Sequence, residues 1–177
     1  IDTRPDDLTV REESWWSLPD SIDRSIDVRA ATTIDAAADE LEGLLETSVR
    51  NCLESDVPLG VFLSGGIDSS VIAALAQRAL PPGALRTLIV SMPSFGFDES
   101  EHAAAVARHI GSQHQVVELS SRSAFELIPQ LPTIWDEPFA DPSMLPTALL
   151  CRAASEYVTV CLGGDGGDEL FAGYNRH

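Results

Sequence analysis

Short apolar runs alternate with amphipathic segments along most of this chain, and that alternation predicts its fold. Runs typical of buried strands occupy residues 57–63 and 157–162, residues 85–91 predict a short apolar strand, and residues 114–119 predict a further strand. Apolar residues recurring every three or four positions predict helices over residues 33–52, 69–80, 98–110 and 143–156. Another helix is predicted to begin at Ser123, with Glu126 three residues later. The order of these elements favours an α/β protein with an open, mostly parallel sheet and helices on both faces.

Residue types at the segment ends refine this pattern. Asp98, with Glu101 three residues later, predicts a capped helix start, and Gly111 predicts the end of that helix. Residues 1–31 are acid-rich and interrupted by prolines, and their concentrated apolar surface is limited to Trp15, Trp16 and Leu18. We therefore expect residues 1–31 to form an N-terminal arm or linker and residues 32–177 to form one domain.

A turn rich in glycine and serine follows the first predicted strand. Its sequence is Ser64-Gly65-Gly66-Ile67-Asp68-Ser69-Ser70, and a helix is predicted directly after it. Glycine adopts backbone conformations closed to other residues, and the first N–H groups of a helix lack internal partners. A strand, this turn and a helix in succession therefore predict a phosphate-binding site.

A second glycine-rich segment follows the fourth predicted strand. Residues 163–169 contain four glycines and three acids and continue to Tyr174 as Gly163-Gly164-Asp165-Gly166-Gly167-Asp168-Glu169-Leu170-Phe171-Ala172-Gly173-Tyr174. The spacing does not fit an EF-hand calcium loop. A flexible acidic loop is the plainer interpretation, but the segment follows a strand just as the first turn does, which favours a functional role.

The two motifs, together with Phe97-Asp98-Glu99 and the stretch from Trp135 to Asp141, resemble the synthetase domain of the glutamine-dependent asparagine synthetase family. The likeness runs from about residue 35 to the end of the chain. It implies a PP-loop ATP pyrophosphatase fold, also called adenine nucleotide α-hydrolase-like. The implied strand order is 3-2-1-4, counting the predicted strands along the chain. Because ligands bind such sheets where the strand order reverses, both motifs are expected at one site.

The resemblance also implies a reaction and its participants. ATP would activate aspartate as an acyl-adenylate, and ammonia from a glutaminase domain would displace AMP after pyrophosphate has left. ATP and Mg²⁺ would be bound, and the implied pyrophosphate contacts are Ser64, Gly65, Gly66, Ser69 and Ser70. Leu63, Val90 and Gly164 would contact adenosine, Asp68 and Asp168 would hold the metal, and Asp165 would take the catalytic position. Asp136, Glu137 and Asp141 would either line the acceptor pocket or form a structural loop.

The sequence departs from the whole family enzyme in several respects. It begins at Ile1 without a glutaminase domain, it ends at His177 before the family's lysine-bearing region, and Asp165 stands where some members have glutamate. We therefore expect a synthetase domain that is incomplete at its C-terminus and able at most to bind nucleotide. Two alternatives stay open: a PP-loop amidotransferase with another carboxylate acceptor, and a non-catalytic module that binds adenine nucleotides.

Composition narrows the setting. The 177 residues carry 28 acids and 11 bases, for a net charge of −17, and every base is arginine. Nucleic acid is thus an unfavourable partner, and without lysine no Walker loop exists. Cys52, Cys151 and Cys161 lack disulfide or zinc spacing and are predicted to be buried thiols. No apolar run is long enough to span a membrane, so a cytoplasmic protein is expected; the oligomeric state stays open.

The absence of lysine with an excess of acids also suggests adaptation to a salt-rich cytoplasm, although an acidic protein from a GC-rich genome is an alternative. High ionic strength screens repulsion among carboxylates. We therefore expect the thermal unfolding midpoint to rise as KCl is increased into the molar range. A midpoint that does not rise would contradict the halophilic interpretation.

Overall fold

The chain divides into two compact units, Ile1–Glu42 and Gly43–His177. The computed structural model describes residues 2–3, 10–18, 33–91, 98–137, 141, 143–171 and 173–174. In the first unit, β1 (Asp2–Thr3) pairs antiparallel with β2 (Val10–Arg11). Trp15 and Trp16 are exposed, and their ring centroids lie 6.5 Å apart. The division into an arm at residues 1–31 and a domain at residues 32–177 stays a prediction.

A series of helices and four strands makes up the rest of the described chain. The strands are β3 (Leu59–Phe62), β4 (Arg86–Ser91), β5 (Gln113–Glu118) and β6 (Val160–Leu162). The helices are α1 (Ile34–Cys52), which runs from the first unit into the second, α2 (Ile67–Ala79), α3 (Ser100–Ile110), α4 (Ser121–Leu127), α5 (Leu131–Ile134), α6 (Met144–Ala154) and α7 (Gly167–Phe171). A 3-10 turn, Ile128–Gln130, joins α4 to α5.

The four strands form one parallel sheet in the order β5-β4-β3-β6. This arrangement confirms the predicted fold class and the predicted order 3-2-1-4. Gly60 of β3 pairs with Arg86 of β4 on one side and with Cys161 of β6 on the other. The order therefore reverses at β3, and the loops that leave β3 and β6 emerge side by side.

Alternate residues of the central strands face two different apolar layers. Leu85 and Ile89 are buried with residues of α1, α2 and α3, whereas Leu88 is buried with Ala154 and Val158 from the region of α6. A third cluster joins α4 to α6. Helices thus cover both faces of the sheet, as the alternation of strands and helices predicted.

Two predicted helix starts are shifted along the chain. The N-cap of α3 is Glu99, whose own side chain makes no capping bond, but the Asp98 carboxylate accepts from the N–H of Ser100, the first residue of this helix, at 3.0 Å. For α4 the N-cap is Ser120, whose hydroxyl accepts a hydrogen bond from the N–H of Ser123 at 3.2 Å. Because serine caps a helix two or three residues ahead of the donor, Ser123 lies inside the helix. The predicted end at Gly111 is confirmed, with φ of 74° in the left-handed region.

The fourth strand is shorter than predicted. Tyr157 and Val158 belong to the turn after α6, where both N–H groups bond to the carbonyl of Ala154.

The burial of two of the three cysteines was predicted wrongly. Cys52 and Cys151 are exposed on their helices, and only Cys161 is half-buried. Burial, with a smaller effect from Cys151, raises the pKa of Cys161 to about 11, so this thiol stays protonated near neutral pH.

Within the described ranges, every helix is either too short or too polar to cross a bilayer.

The packing of α4 against α6 gives a stability prediction. Leu127 is buried in the cluster between these helices, while Phe125 on the same helix is exposed. Leu127→Ala leaves a cavity and should lower the free energy of unfolding by about 2–5 kcal/mol. Phe125→Ala, the matched control, should change it by less than about 0.5 kcal/mol. Equal effects of the two variants in denaturant unfolding would contradict this packing.

Candidate functional site

A cleft of about 700 Å³ opens at the carboxyl ends of β3, β4 and β6. Its walls come from the loop after β3, the end of β4, the start of α6 and the loop after β6. Nine of the residues predicted from the sequence lie in these walls: Leu63, Ser64, Gly66, Asp68, Ser69, Val90, Gly164, Asp165 and Asp168. The volume is typical of small-molecule sites. The strand order therefore brings the two glycine-rich motifs to one cleft.

The turn between β3 and α2 is held in shape by its own serines. The hydroxyls of Ser64 and Ser69 lie 2.9 Å apart, and the Ser69 hydroxyl also accepts from the N–H of Ser64 at 3.2 Å. The N–H of Gly66 donates to the Ser64 hydroxyl at 3.2 Å. Gly66 is the N-cap of α2 and has no side chain with which to cap this helix. The first N–H groups of α2 are thus not satisfied by an N-cap side chain.

Gly65 and Ser70 are the two predicted pyrophosphate contacts outside the cleft walls, and the candidate acceptor residues Asp136, Glu137 and Asp141 do not line the cleft either. Gly65 has φ of +85°, and a Cβ there would lie 2.7 Å from the backbone nitrogen of Ala103 in α3. Glycine is therefore required by the packing of this turn against α3. The Ser70 hydroxyl is buried without a hydrogen-bond partner among the described residues. The phosphate-binding roles of both residues stay predictions.

The two motifs touch through glycines of the second one. A Cβ on Gly164 would lie 2.8 Å from the backbone nitrogen of Ser69 and 3.0 Å from the carbonyl carbon of Asp68. A Cβ on Gly167 would lie 2.5 Å from Cγ of Asp68. These separations leave no space for a side chain, so glycine allows the second loop to lie directly against the first. The residue after Gly167 is Asp168, whose side chain also lines the cleft.

The described cleft walls are acidic. Five acids line them, namely Asp68, Glu99, Asp165, Asp168 and Glu169, and none of the described lining residues is Arg or His. A helix N-terminus typically stabilises an anion by about 0.3–1 kcal/mol, which is small against several nearby carboxylates. An anionic ligand in this cleft therefore needs a cation beside it.

The donor set fits Mg²⁺ that is shared with phosphate. Mg²⁺ usually binds through one or two carboxylates while phosphate oxygens and water complete its octahedron. Asp68 and Asp168 supply two carboxylates in one cleft. In the part of the chain described, no group of three or more His, Cys, Asp or Glu is arranged to hold a metal by itself. The residues thus suit an ion that arrives with a phosphate ligand better than a metal held by protein alone.

Tyr174 contributes a hydrogen-bond donor at the rim. Its hydroxyl donates to Oε1 of Glu169 at 2.8 Å. This hydrogen bond and the charge of Glu169 raise the pKa of Tyr174, so the phenol stays protonated near neutral pH. Asp141, whose Oδ1 accepts from the N–H of Ser143 at 2.7 Å, does not line the cleft.

Several cleft residues were missed from the sequence. Glu99, Glu169 and Tyr174 belong to the motifs that carry the family resemblance, but the sequence pattern did not indicate a role for them. Pro146, Thr147 and Leu150 come from α6, and periodicity alone does not say which face of a helix meets a ligand. Phe97, residues 138–140 and Ala172 lie outside the described residues.

Comparisons with known proteins agree with this geometry. A protein-family model described as asparagine synthase matches residues 40–177. The chain is 37% identical over 144 residues to asparagine synthetase (glutamine-hydrolyzing) 1 of Bacillus subtilis, covering 81% of this chain and 22% of that protein. It is 36% identical over 149 residues to carboxyethyl-arginine beta-lactam-synthase of Streptomyces clavuligerus, covering 76% of this chain and 28% of that protein.

A solved structure shares the fold. The glutamine-dependent NAD⁺ synthetase of Acinetobacter baumannii, in complex with ADP, matches with a TM-score of 0.51 and 25% identity over 73% of this chain and 26% of that chain. The chain spans between a fifth and a third of the length of the relatives compared here. The matched family region includes both motifs and every residue that lines the cleft. The chain therefore belongs to the asparagine synthase family.

Proposed function

We propose that this chain forms the nucleotide-binding part of an enzyme that makes asparagine from aspartate with ATP, through an acyl-adenylate. The observation that carries the proposal is the contact of Gly164 and Gly167 with Asp68 and Ser69, because it joins the phosphate turn to the acidic loop in one cleft. Family membership supports ATP-dependent ligase chemistry, and the relatives' names support amide formation.

The phosphate turn would bind the leaving pyrophosphate. Each serine hydroxyl has one donor and two acceptor sites. The Ser64 and Ser69 hydroxyls contact each other, and the Ser69 hydroxyl also lies 3.3 Å from the Gly66 carbonyl. Rotation about their Cβ–Oγ bonds would redirect these O–H groups to phosphate oxygens while the backbone of the turn stays fixed. The first N–H groups of α2 would add donors to the same oxygens.

The carboxylates divide into two roles. Asp68 and Asp168 would hold Mg²⁺ against the phosphates; the bound ion supplies charge neutralisation, which lowers the barrier to pyrophosphate departure. Asp165 would take part at the reacting acceptor. A Cβ on Gly163 would lie 2.6 Å from Oδ2 of Asp165, so this carboxylate folds back over the end of β6. Leu63 and Val90, near the carboxyl ends of the neighbouring strands β3 and β4, would contact adenosine.

A different carboxylate acceptor is the second candidate. The relative from Streptomyces clavuligerus carries the name of a β-lactam synthase, and its identity to this chain is 36%, against 37% for the relative from Bacillus subtilis. The same nucleotide cleft would therefore suit more than one acceptor. Aspartate is preferred here because asparagine synthetases predominate among the named relatives.

The test measures pyrophosphate released by the complete gene product with ATP, Mg²⁺, aspartate and glutamine. We expect release that depends on aspartate in the natural protein. Asp68→Asn and Asp168→Asn should each lower it by at least about 100-fold, since transition-state charge stabilisation by a metal is worth several kcal/mol. ATP binding that is normal without any release would instead support a non-catalytic nucleotide module.

The control for this test is Asp56→Asn, which removes the same charge from an exposed acid outside the cleft walls. Removing one negative charge alone should help an anion bind, so a general charge effect would strengthen ATP binding in all three variants. Unchanged ATP affinity in both Asp68→Asn and Asp168→Asn would contradict a shared metal site.

Gly164→Ala tests the contact between the motifs. The new Cβ would meet backbone atoms of Asp68 and Ser69, which cannot move without displacing the phosphate turn. We expect ATP affinity measured by calorimetry to fall by about tenfold or more, equivalent to ~1.4 kcal/mol. Gly43→Ala, where nothing lies within 4 Å, is the matched control and should leave ATP affinity unchanged. Equal affinities in the two variants would contradict the proposed contact.

A further inference from the structure

Asp98 joins two elements that build the cleft, and neither the fold nor the proposed chemistry assigns it a role. Its Oδ2 accepts a hydrogen bond from the hydroxyl of Ser91 at 3.1 Å, and its Oδ1 accepts from the N–H of Ser100 at 3.0 Å. Ser91 is the last residue of β4 and Ser100 is the first of α3. One carboxylate thus ties the carboxyl end of a central strand to the start of a helix.

The two partners of this carboxylate differ in their surroundings. Ser91 is only 5% exposed, so its hydroxyl would be left poorly satisfied without Asp98. Hydrogen bonds from the Ser100 hydroxyl and backbone, with a smaller effect from Ser91, lower the pKa of Asp98. The carboxylate is therefore ionised near neutral pH, and its hydrogen bonds are charge-assisted.

Both tied elements carry residues of the cleft wall. Val90 precedes Ser91, Glu99 follows Asp98, and both line the cleft, whereas Asp98 itself does not. The first turn of α3 also backs the phosphate turn, because a Cβ on Gly65 would lie 2.7 Å from the nitrogen of Ala103. A shift of α3 relative to β4 would thus displace the adenosine wall and the phosphate turn together.

We propose that Asp98 is a positioning residue for ATP, which holds Val90, Glu99 and the phosphate turn in register without contacting the nucleotide. The inference rests on the proposed function. It differs from two other roles for the same carboxylate. If Asp98 only stabilised the start of α3, its loss would lower the stability of the fold but would not lower the ATP affinity of the folded protein. If Asp98 acted by direct electrostatics, ATP affinity would depend on its negative charge.

The test compares Asp98→Asn with Asp98→Ala by calorimetry of ATP and Mg²⁺ binding to the purified protein. Asparagine keeps the two bonds that join β4 to α3 but lacks the charge. Its Oδ1 accepts from the N–H of Ser100, and its Nδ2 donates to the Ser91 hydroxyl. We expect the Kd of Asp98→Asn to stay within about twofold of the natural value and that of Asp98→Ala to rise about tenfold, or ~1.4 kcal/mol. Ser91→Ala, which removes one bond, should fall between them.

A helix-cap control separates positioning from stability. Ser120→Ala removes the cap of α4, which lies outside the cleft, and should lower the thermal midpoint without changing ATP affinity. Asp98→Ala binding ATP as tightly as Ser120→Ala would overturn the proposal. Asp98→Asn as weak as Asp98→Ala would also overturn it, in favour of a charge role. If the natural protein does not bind ATP, the proposed function itself is overturned. If the natural protein and Asp98→Ala bind ATP equally well, only the positioning role is overturned.

Discussion

The direct contact between two loops that are distant in sequence is the constraint on which the cleft depends. Gly164 and Gly167 lie against the backbone and carboxylate of Asp68 with no space for a Cβ. That contact exists because β3 and β6 pair in parallel, so that their carboxyl ends stop at the same edge of the sheet. Four of the five carboxylates in the cleft walls, those of Asp68, Asp165, Asp168 and Glu169, are brought together by this juxtaposition.

The acidity of the cleft means that an anionic ligand can bind there only together with a cation. A helix N-terminus offsets little of the repulsion between phosphate and carboxylates, and the described walls contain no basic side chain. The same residues that oppose free ATP favour ATP complexed with a divalent ion. Family membership and the chemistry of the donor set thus support the same class of substrate.

The sequence predicted the fold well because its signals are local. Three of the four sheet strands read as apolar runs, and the turn from Ser64 to Ser70 and the loop from Gly163 carry distinctive glycines. The predictions were wrong where the deciding contact is nonlocal or where several residues offer similar local chemistry. Three serines near the start of α4 all suit a cap, and only the structure shows that Ser120 takes that position. Periodicity does not specify which neighbours a residue meets in the fold. It therefore could not show which face of α6 lines the cleft, or that Cys52 and Cys151 are exposed.

The long separation in sequence between β3 and β6 has a consequence for synthesis. Val160 pairs with Leu59, and the N–H of Thr159 bonds to the carbonyl of Pro58, so residues about 100 positions apart must meet. Such long-range pairing forms late, after the local elements. A ribosome-bound chain that has emerged only as far as α6 has its phosphate turn but not the acidic loop. A ligand that needs both motifs would therefore stabilise the domain only after β6 has docked.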